Sequence, residues 1–168
     1  MSVAIAYHGY PVLTPTSGWY GVSDDSETLQ RSIEKVFRDA TKSISEQRFD
    51  YLRRSLLECF VRCSKANWDG YNATPISESA FFEATKLLEL LPSYLPLPDI
   101  TPEPTGEIGL EWYKGSHFTF VASVRGNNVL SYAGLFGPGN ETYGTENFTE
   151  SLPRTIIENV RRLFPQMV

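Results

Sequence analysis

The chain has few of the residues from which catalytic and metal centres are usually built. It contains two cysteines and two histidines among 168 residues. A phosphate-binding Gly-rich loop ending in Gly-Lys-Ser/Thr, a Gly-x-Ser-x-Gly turn and a Cys/His zinc spacing are all missing from the sequence. These absences argue against nucleotide binding of the phosphate-loop type, serine-hydrolase chemistry and a structural zinc site. We therefore expect no cofactor.

Long apolar runs are missing as well. No stretch approaches the roughly 18 apolar residues of a membrane span, and the start of the sequence lacks the basic segment and apolar core of a signal peptide. The sequence therefore predicts a cytoplasmic protein that makes no membrane contact. Cys59 and Cys63 lie four residues apart, and we expect both to be reduced, buried side chains.

Charge favours some partners over others. The net charge is −5 and the pI is near 5.1, and charged residues make up 21% of the chain. Basic pairs occur at Arg53-Arg54 and Arg161-Arg162, which is too little for a nucleic-acid footprint, so no direct nucleic-acid partner is expected. The acidic balance permits binding to a basic protein.

The order of the predicted elements indicates an α+β fold with N-terminal helices, a three-stranded antiparallel β-meander and a C-terminal helix. Residues 1–23 are rich in Gly, Pro, Ser and Tyr and predict an extended N-terminal arm. Residues 24–168 are expected to form a single α+β domain. The predicted helices cover residues 24 to about 43, 46–66, 78–91 and 152–164.

Three of these helix boundaries can be considered residue by residue in the sequence, and they are a break between the first two helices, the start of the third and the start of the last. No Pro or Gly separates the first two helices, but one helix of about forty residues is unusual in a globular domain, so we expect a break near residues 43–45. Ser77 is a good N-cap for the third helix. Pro153 falls in the first turn of the last helix, where proline is tolerated.

Three strands are predicted after a proline-rich connector at residues 92–106. They cover residues 107–113, 117–124 and 129–136, and a loop is expected over residues 137–148. The first strand alternates in polarity. Its two predicted faces carry Ile108, Leu110 and Trp112 on one side, and Glu107, Glu111 and Tyr113 on the other.

Residues 67–73, Asn-Trp-Asp-Gly-Tyr-Asn-Ala, combine aromatic side chains, a carboxylate and a turn dipeptide. In one interpretation Asp69 is a catalytic carboxylate. In the other, which we favour, Asp69 accepts hydrogen bonds from backbone amides while Trp68 and Tyr71 pack in the core. His117 is expected to open the second strand almost opposite Tyr113.

Several segments together carry a resemblance to a known family. They are residues 67–73, 106–112 (Gly-Glu-Ile-Gly-Leu-Glu-Trp), 132–135 (Tyr-Ala-Gly-Leu) and 144–146 (Gly-Thr-Glu). With the proline-rich passage, this pattern resembles a family of small uncharacterised bacterial proteins with an Asn-Trp-Asp-Gly-Tyr-Gly-Ala motif and a Glu-Trp strand. Asn72 stands where that family has Gly. The resemblance spans about residues 67–163 and implies a bacterial or phage source, but no activity.

Three functional hypotheses follow. The first is a non-enzymatic protein-binding protein of inhibitor, immunity or antitoxin type, such as a phage inhibitor of a bacterial defence system. Its candidate binding residues are Trp68, Asp69, Tyr71, Glu111, Tyr113, His117, Tyr143 and Glu146. The alternative is a small metal-dependent hydrolase or nuclease that uses Asp69, Glu111, His117 and Glu146. A homodimer paired through an edge strand is compatible with either.

Overall fold

The computed structural model describes the backbone of residues 24–167 and the side chains of residues 28–40 and 46–166. Over this range the molecule is α+β. The helices are α1 (Asp24–Arg62), α2 (Glu78–Glu89), α3 (Arg154–Leu163) and a short 3-10 helix (Pro165–Met167). The strands are β1 (Asp99–Pro102), β2 (Ile108–Gly115), β3 (Phe118–Val124), β4 (Val129–Phe136) and β5 (Glu141–Asn147). The arm expected at residues 1–23 lies outside the described residues.

Helix α1 is continuous, so the expected break near residues 43–45 is wrong. No proline or glycine occurs between its ends, and therefore nothing in the sequence interrupts its hydrogen bonding. The chain divides into two units between Ala40 and Thr41. In the first unit, the apolar side chains of α1 are exposed: Leu29, Ile33, Val36 and Phe37. In the second unit, one side of α1 is buried through Leu52, Leu56 and Cys59, whereas Leu57 and Val61 are exposed.

Helix α2 begins where the sequence predicts. The Ser77 hydroxyl accepts a hydrogen bond from the backbone N–H of Ala80 at 3.1 Å, which confirms Ser77 as the N-cap. The buried face of α2 is formed by Ala80, Glu83, Ala84, Leu87 and Leu88. One charged residue therefore lies within an otherwise apolar helix face.

The sheet has five antiparallel strands in the order β1-β2-β3-β4-β5. The predicted three-stranded meander is therefore wrong in its strand count. Strand β1 arises within the proline-rich connector, and β5 arises within the expected loop at residues 137–148. Both additions are edge strands. An edge strand tolerates Pro102 and needs little apolar patterning, because only one side of it is paired.

The sheet has one buried face, which we call the core face. The predicted alternation in β2 is confirmed, since Ile108, Leu110 and Trp112 are buried in one hydrophobic cluster. Helix α2 contacts β2 and β3, and α3 contacts β3 and β4. The buried residues of both helices belong to the same cluster, which places the helices against the core face.

Helix α3 starts at Arg154, with Pro153 at its N-cap position rather than in its first turn. Lys114 Nζ donates to the carbonyl oxygen of Leu163 at 3.1 Å, and the Arg162 guanidinium lies 4.0 Å from the centre of the Phe136 ring. These contacts attach the end of α3 to the sheet. Among the described residues, no helix combines the length and apolarity that crossing a membrane requires.

Candidate functional site

The Asn-Trp-Asp-Gly-Tyr-Asn-Ala segment forms a tight turn between α1 and α2. Asp69 Oδ1 accepts from the backbone N–H of Tyr71 at 2.8 Å and of Ala73 at 3.1 Å. Asn67 Oδ1 accepts from the N–H of Asn72 at 2.8 Å, and Trp68 Nε1 donates to the carbonyl oxygen of Thr74 at 3.1 Å. The polar side chains of the motif therefore satisfy its own backbone, as in an Asx-turn.

The aromatic residues of this turn have different environments. Trp68 is half-buried and packs against the hydrophobic cluster. Tyr71 is 89% exposed, so the expectation that it packs in the core is wrong. Gly70 adopts a φ of +80°, a conformation that glycine takes without steric cost. Tyr71 is a binding candidate at this turn.

A second group of candidates lies on the sheet face opposite the core, which we call the open face. Residues paired across antiparallel strands share a face, and three rows define it. Their members in strand order are Asp99–Glu111–Val121–Ala133–Tyr143, Thr101–Gly109–Ser123–Ser131–Thr145, and Tyr113–Thr119–Leu135–Glu141. Tyr113 is 61% exposed and Tyr143 is 79% exposed.

The open face is acidic. Asp99 and Glu111 are direct neighbours in adjacent strands, and Glu141 lies at the other edge. Glu103 follows β1, lies over Gly109 and accepts a hydrogen bond from the Ser123 hydroxyl. Thr119 Oγ1 donates to Glu111 Oε1 at 3.2 Å. Of the described strand positions in the three rows, none is Lys or Arg.

Two candidate residues lie elsewhere than the sequence suggested. His117 does not pair with Tyr113, whose partner is Thr119. Instead His117 lies in the turn before β3 with a φ of +62°, and its carbonyl oxygen accepts from Gly137 N–H at 2.8 Å. Glu146 lies in β5 opposite Leu130, on the other face from Tyr143, because successive strand residues alternate in direction.

The four residues of the hydrolase hypothesis do not form a metal-binding group. Asp69 is hydrogen-bonded within its turn and Glu111 to Thr119, while Glu146 faces away from Glu111. Among the side chains of residues 28–40 and 46–166, no three His, Cys, Asp or Glu groups lie together so that they can hold a metal ion.

The two cysteines are free and buried, as the sequence predicts. Burial, with the neighbouring Cys63 thiol as a second cause, raises the pKa of Cys59 to about 11. A thiol with this pKa is a poor nucleophile at neutral pH. Cys59 therefore contributes to packing, and Cys63 is fully buried in the same hydrophobic cluster.

Sequence reasoning missed two groups of residues that the structure brings together. The first is the apolar part of the open face, Val121, Ala133 and Leu135, which becomes visible only when strand register is known. The second is Glu83, a carboxylate within the apolar face of α2. The signal for Glu83 is present in the sequence, since it lies three residues from Ala80 and four from Leu87.

Comparison with known proteins adds no assignment: no family model, no curated protein and no solved structure matches this chain.

Proposed function

We propose that this protein acts by stoichiometric binding to another protein, through the open face and without catalysing a reaction. The inhibitor, immunity or antitoxin type of protein, from a bacterium or a phage, is the class that we favour. The observation that carries the proposal is a sheet face that presents Tyr113, Leu135 and Tyr143 to solvent.

The apolar part of the open face has the chemistry of an interface centre. Tyrosine combines a large apolar ring with a hydroxyl and loses little conformational entropy on binding, which makes it frequent among energetically important interface residues. The two tyrosines are separated by β3 and β4, with Ala133 and Leu135 between them. At about 4.8 Å per strand and 3.4 Å per residue, the five strands and three rows of the face span roughly 19 Å by 14 Å.

The charge of the face favours a basic partner. Asp99, Glu103, Glu111 and Glu141 surround the apolar residues. A partner that carries Lys or Arg around an apolar patch complements this pattern, and such complementarity increases the association rate at low salt. A second copy of this chain is a poor partner for the open face, because two acidic faces repel each other. A dimer through an edge strand stays a separate prediction, which the mass of the purified protein in solution tests.

The test is affinity capture with matched variants. The full chain, Tyr143→Arg and Tyr51→Arg are each used to capture partners from the native host, and the mass and stoichiometry of the purified complexes are measured. Tyr51 is 58% exposed on α1 and serves as the control. We expect a complex of defined stoichiometry that Tyr143→Arg loses, that Tyr51→Arg keeps, and that weakens as salt increases.

Capture alone does not support the proposal. If the complex tolerates Tyr143→Arg and Glu111→Arg as well as it tolerates Tyr51→Arg, the open face is not the binding surface. If increasing the salt concentration does not weaken the complex, the argument from charge for a basic partner fails.

A further inference from the structure

Strand β5 forms one edge of the sheet. It pairs with β4 at every residue without a register shift, and within the described part of the chain no strand pairs with its other side. An unpaired edge presents a row of N–H and C=O groups to which another strand can bond. At about 3.4 Å per residue, the row along β5 is roughly 24 Å long.

The two edges of the sheet differ. Strand β1 has four residues and ends at Pro102, and a short strand with a proline is protected against pairing with another chain. Strand β5 has seven residues and contains no proline, lysine or bulge. Gly144 does not interrupt it, because the Tyr132 hydroxyl lies 2.6 Å from where a Cβ of Gly144 would be and occupies that position. The edge of β5 is therefore a regular template for a further strand.

The backbone groups on this edge can be assigned from the bonds that flank β5. Phe136 N–H donates to the carbonyl oxygen of Asn140, and Phe148 N–H to that of Asn128, each at 2.8 Å. Both pairs continue the β4–β5 register, and bonded pairs alternate with non-bonded pairs in an antiparallel ladder. The residues that bond to β4 are therefore Thr142, Gly144 and Glu146. The residues that direct their N–H and C=O groups to the free edge are Glu141, Tyr143, Thr145 and Asn147.

This edge is complementary to itself. Two antiparallel β5 strands related by a two-fold axis at Gly144 place Glu141 opposite Asn147 of the second copy, and Tyr143 opposite Thr145. Every outward-directed residue then meets another, and each such pair exchanges two hydrogen bonds. A shift by one residue places outward-directed groups opposite inward-directed ones, and a longer shift leaves outward-directed residues unpaired. One register therefore satisfies the whole edge.

The side chains fit the same register. Glu141 lies opposite the Asn147 amide of the second copy, and Glu146 lies opposite the Thr142 hydroxyl, so each carboxylate meets a donor and none meets another carboxylate. The sheet already contains such a contact, since Thr119 Oγ1 donates to Glu111 Oε1 at 3.2 Å. Glu146 is half-buried on the core side of β5, where an inward-pointing charge disfavours pairing with an apolar strand. The pattern of charges therefore favours a second copy of this chain over an apolar strand of another protein.

We propose that two copies of this chain pair through β5, so that their five-stranded sheets join into one antiparallel sheet of ten strands. The two-fold axis is perpendicular to the sheet, and both open faces lie on the same side of it. Tyr143 of one copy and Tyr143 of the other become diagonal neighbours across the junction, within reach of aromatic side chains. The second copy thus extends the open face, while dimerisation itself does not depend on the proposed binding function.

Self-association of the purified full chain is measured by sedimentation equilibrium over a wide range of protein concentrations. We expect a monomer–dimer equilibrium with a dissociation constant on the order of 10 µM, because a single strand edge buries less area than a standard protein interface.

A backbone variant tests the edge directly. Thr145→Pro removes an N–H that β4 does not use, and proline is tolerated in an edge strand. It should weaken dimerisation by about tenfold or more, because two symmetric hydrogen bonds are lost, while urea unfolding stays cooperative. Thr145→Ala is the matched control, since it keeps the N–H, and it should leave dimerisation unchanged.

A cysteine pair tests the register. Thr142→Cys with Glu146→Cys places the two thiols opposite each other in a non-bonded pair of the dimer, where Cα atoms lie about 4.5 Å apart and a disulfide can form. Within one copy the same residues lie roughly 14 Å apart and cannot be bridged. Mild oxidation should therefore give a covalent dimer. Tyr143→Cys with Glu146→Cys, which are not opposite each other in this register, should give none.

Two results overturn the inference. A full chain that stays monomeric at every concentration up to its solubility limit would show that β5 does not pair with itself. Dimerisation that Thr145→Pro leaves unchanged, with equal cross-linking of the two cysteine pairs, would place the interface elsewhere. Neither result bears on partner capture through the open face, which the Tyr143→Arg variant tests separately.

Discussion

Replacing Asp69 with alanine distinguishes a structural turn from a catalytic carboxylate. In the structure, Oδ1 of Asp69 accepts two backbone N–H groups, those of Tyr71 and Ala73. The alanine variant leaves both donors without this acceptor. The turn around Gly70, which has a φ of +80°, then has fewer hydrogen bonds that restrain it.

The size of the effect follows from these two bonds. A hydrogen bond to a charged group contributes about 1.5–3 kcal/mol when it is shielded from water, and less when water replaces it. Asp69 is half-buried, the Tyr71 amide lies in an exposed turn and Ala73 is buried. We therefore expect Asp69→Ala to lower the free energy of unfolding by about 2 kcal/mol. In a domain of this size that corresponds to a fall in Tm of roughly 4–8 °C.

The assay is urea unfolding followed by tryptophan fluorescence, with Asp69→Asn as the matched control. Asparagine keeps an oxygen acceptor but loses the charge, so its loss of stability should be about half as large. If Asp69→Ala unfolds at the same urea concentration as the unmodified protein and loses a metal-dependent hydrolytic activity, the turn explanation is refuted and the catalytic one stands.

Three further predictions concern single residues of the described part of the chain. Because the pKa of Cys59 is raised from 9.0 to about 11, its thiolate fraction at pH 8 is about a hundredfold lower than in the unfolded chain, so iodoacetamide should label it only after denaturation. The stability from this shift is present below pH 9 and is lost as pH rises toward 11, which alkaline urea titrations measure. Gly126→Ala should cost about 3 kcal/mol because of the clash with α2, whereas Gly139→Ala, with φ +69° and open space around it, should cost only about 1 kcal/mol. Trp112→Ala should cost about 4 kcal/mol, since the ring is buried and its Nε1 donates to the carbonyl oxygen of Pro96 at 2.9 Å; Trp112→Phe, which keeps most of the packing, should cost about half as much.

The central strands and α2 can be predicted from the sequence because burial of one side imposes a regular spacing of apolar residues. Strand β2 alternates since one side is buried, and α2 has both a cap and an apolar face. Strand β5 escaped prediction because neither of its faces is fully buried, so its sequence of Glu, Thr, Tyr, Gly, Thr, Glu and Asn carries no alternation in hydropathy. Helix α1 is continuous because no residue within it breaks a helix, which here outweighs the general preference for shorter helices.

Only part of the candidate site can be predicted from the sequence. The hydrogen bonds of Asp69 follow from local turn chemistry, which sequence reveals. The open face depends on the register of four strand pairs, and no single strand contains that information. The environment of Glu83 depends on the approach of Gly126, which is 43 residues distant in sequence.

The most direct test of the binding proposal is a measurement of tyrosine accessibility in the purified complex. The full chain is labelled with 3-fluorotyrosine, and the ¹⁹F signals of Tyr113, Tyr143 and Tyr51 are compared with and without the captured partner. The proposal predicts that Tyr113 and Tyr143 become inaccessible to a soluble paramagnetic probe while Tyr51 does not change. A complex in which Tyr143 stays as accessible as it is in the free protein would contradict binding through the open face.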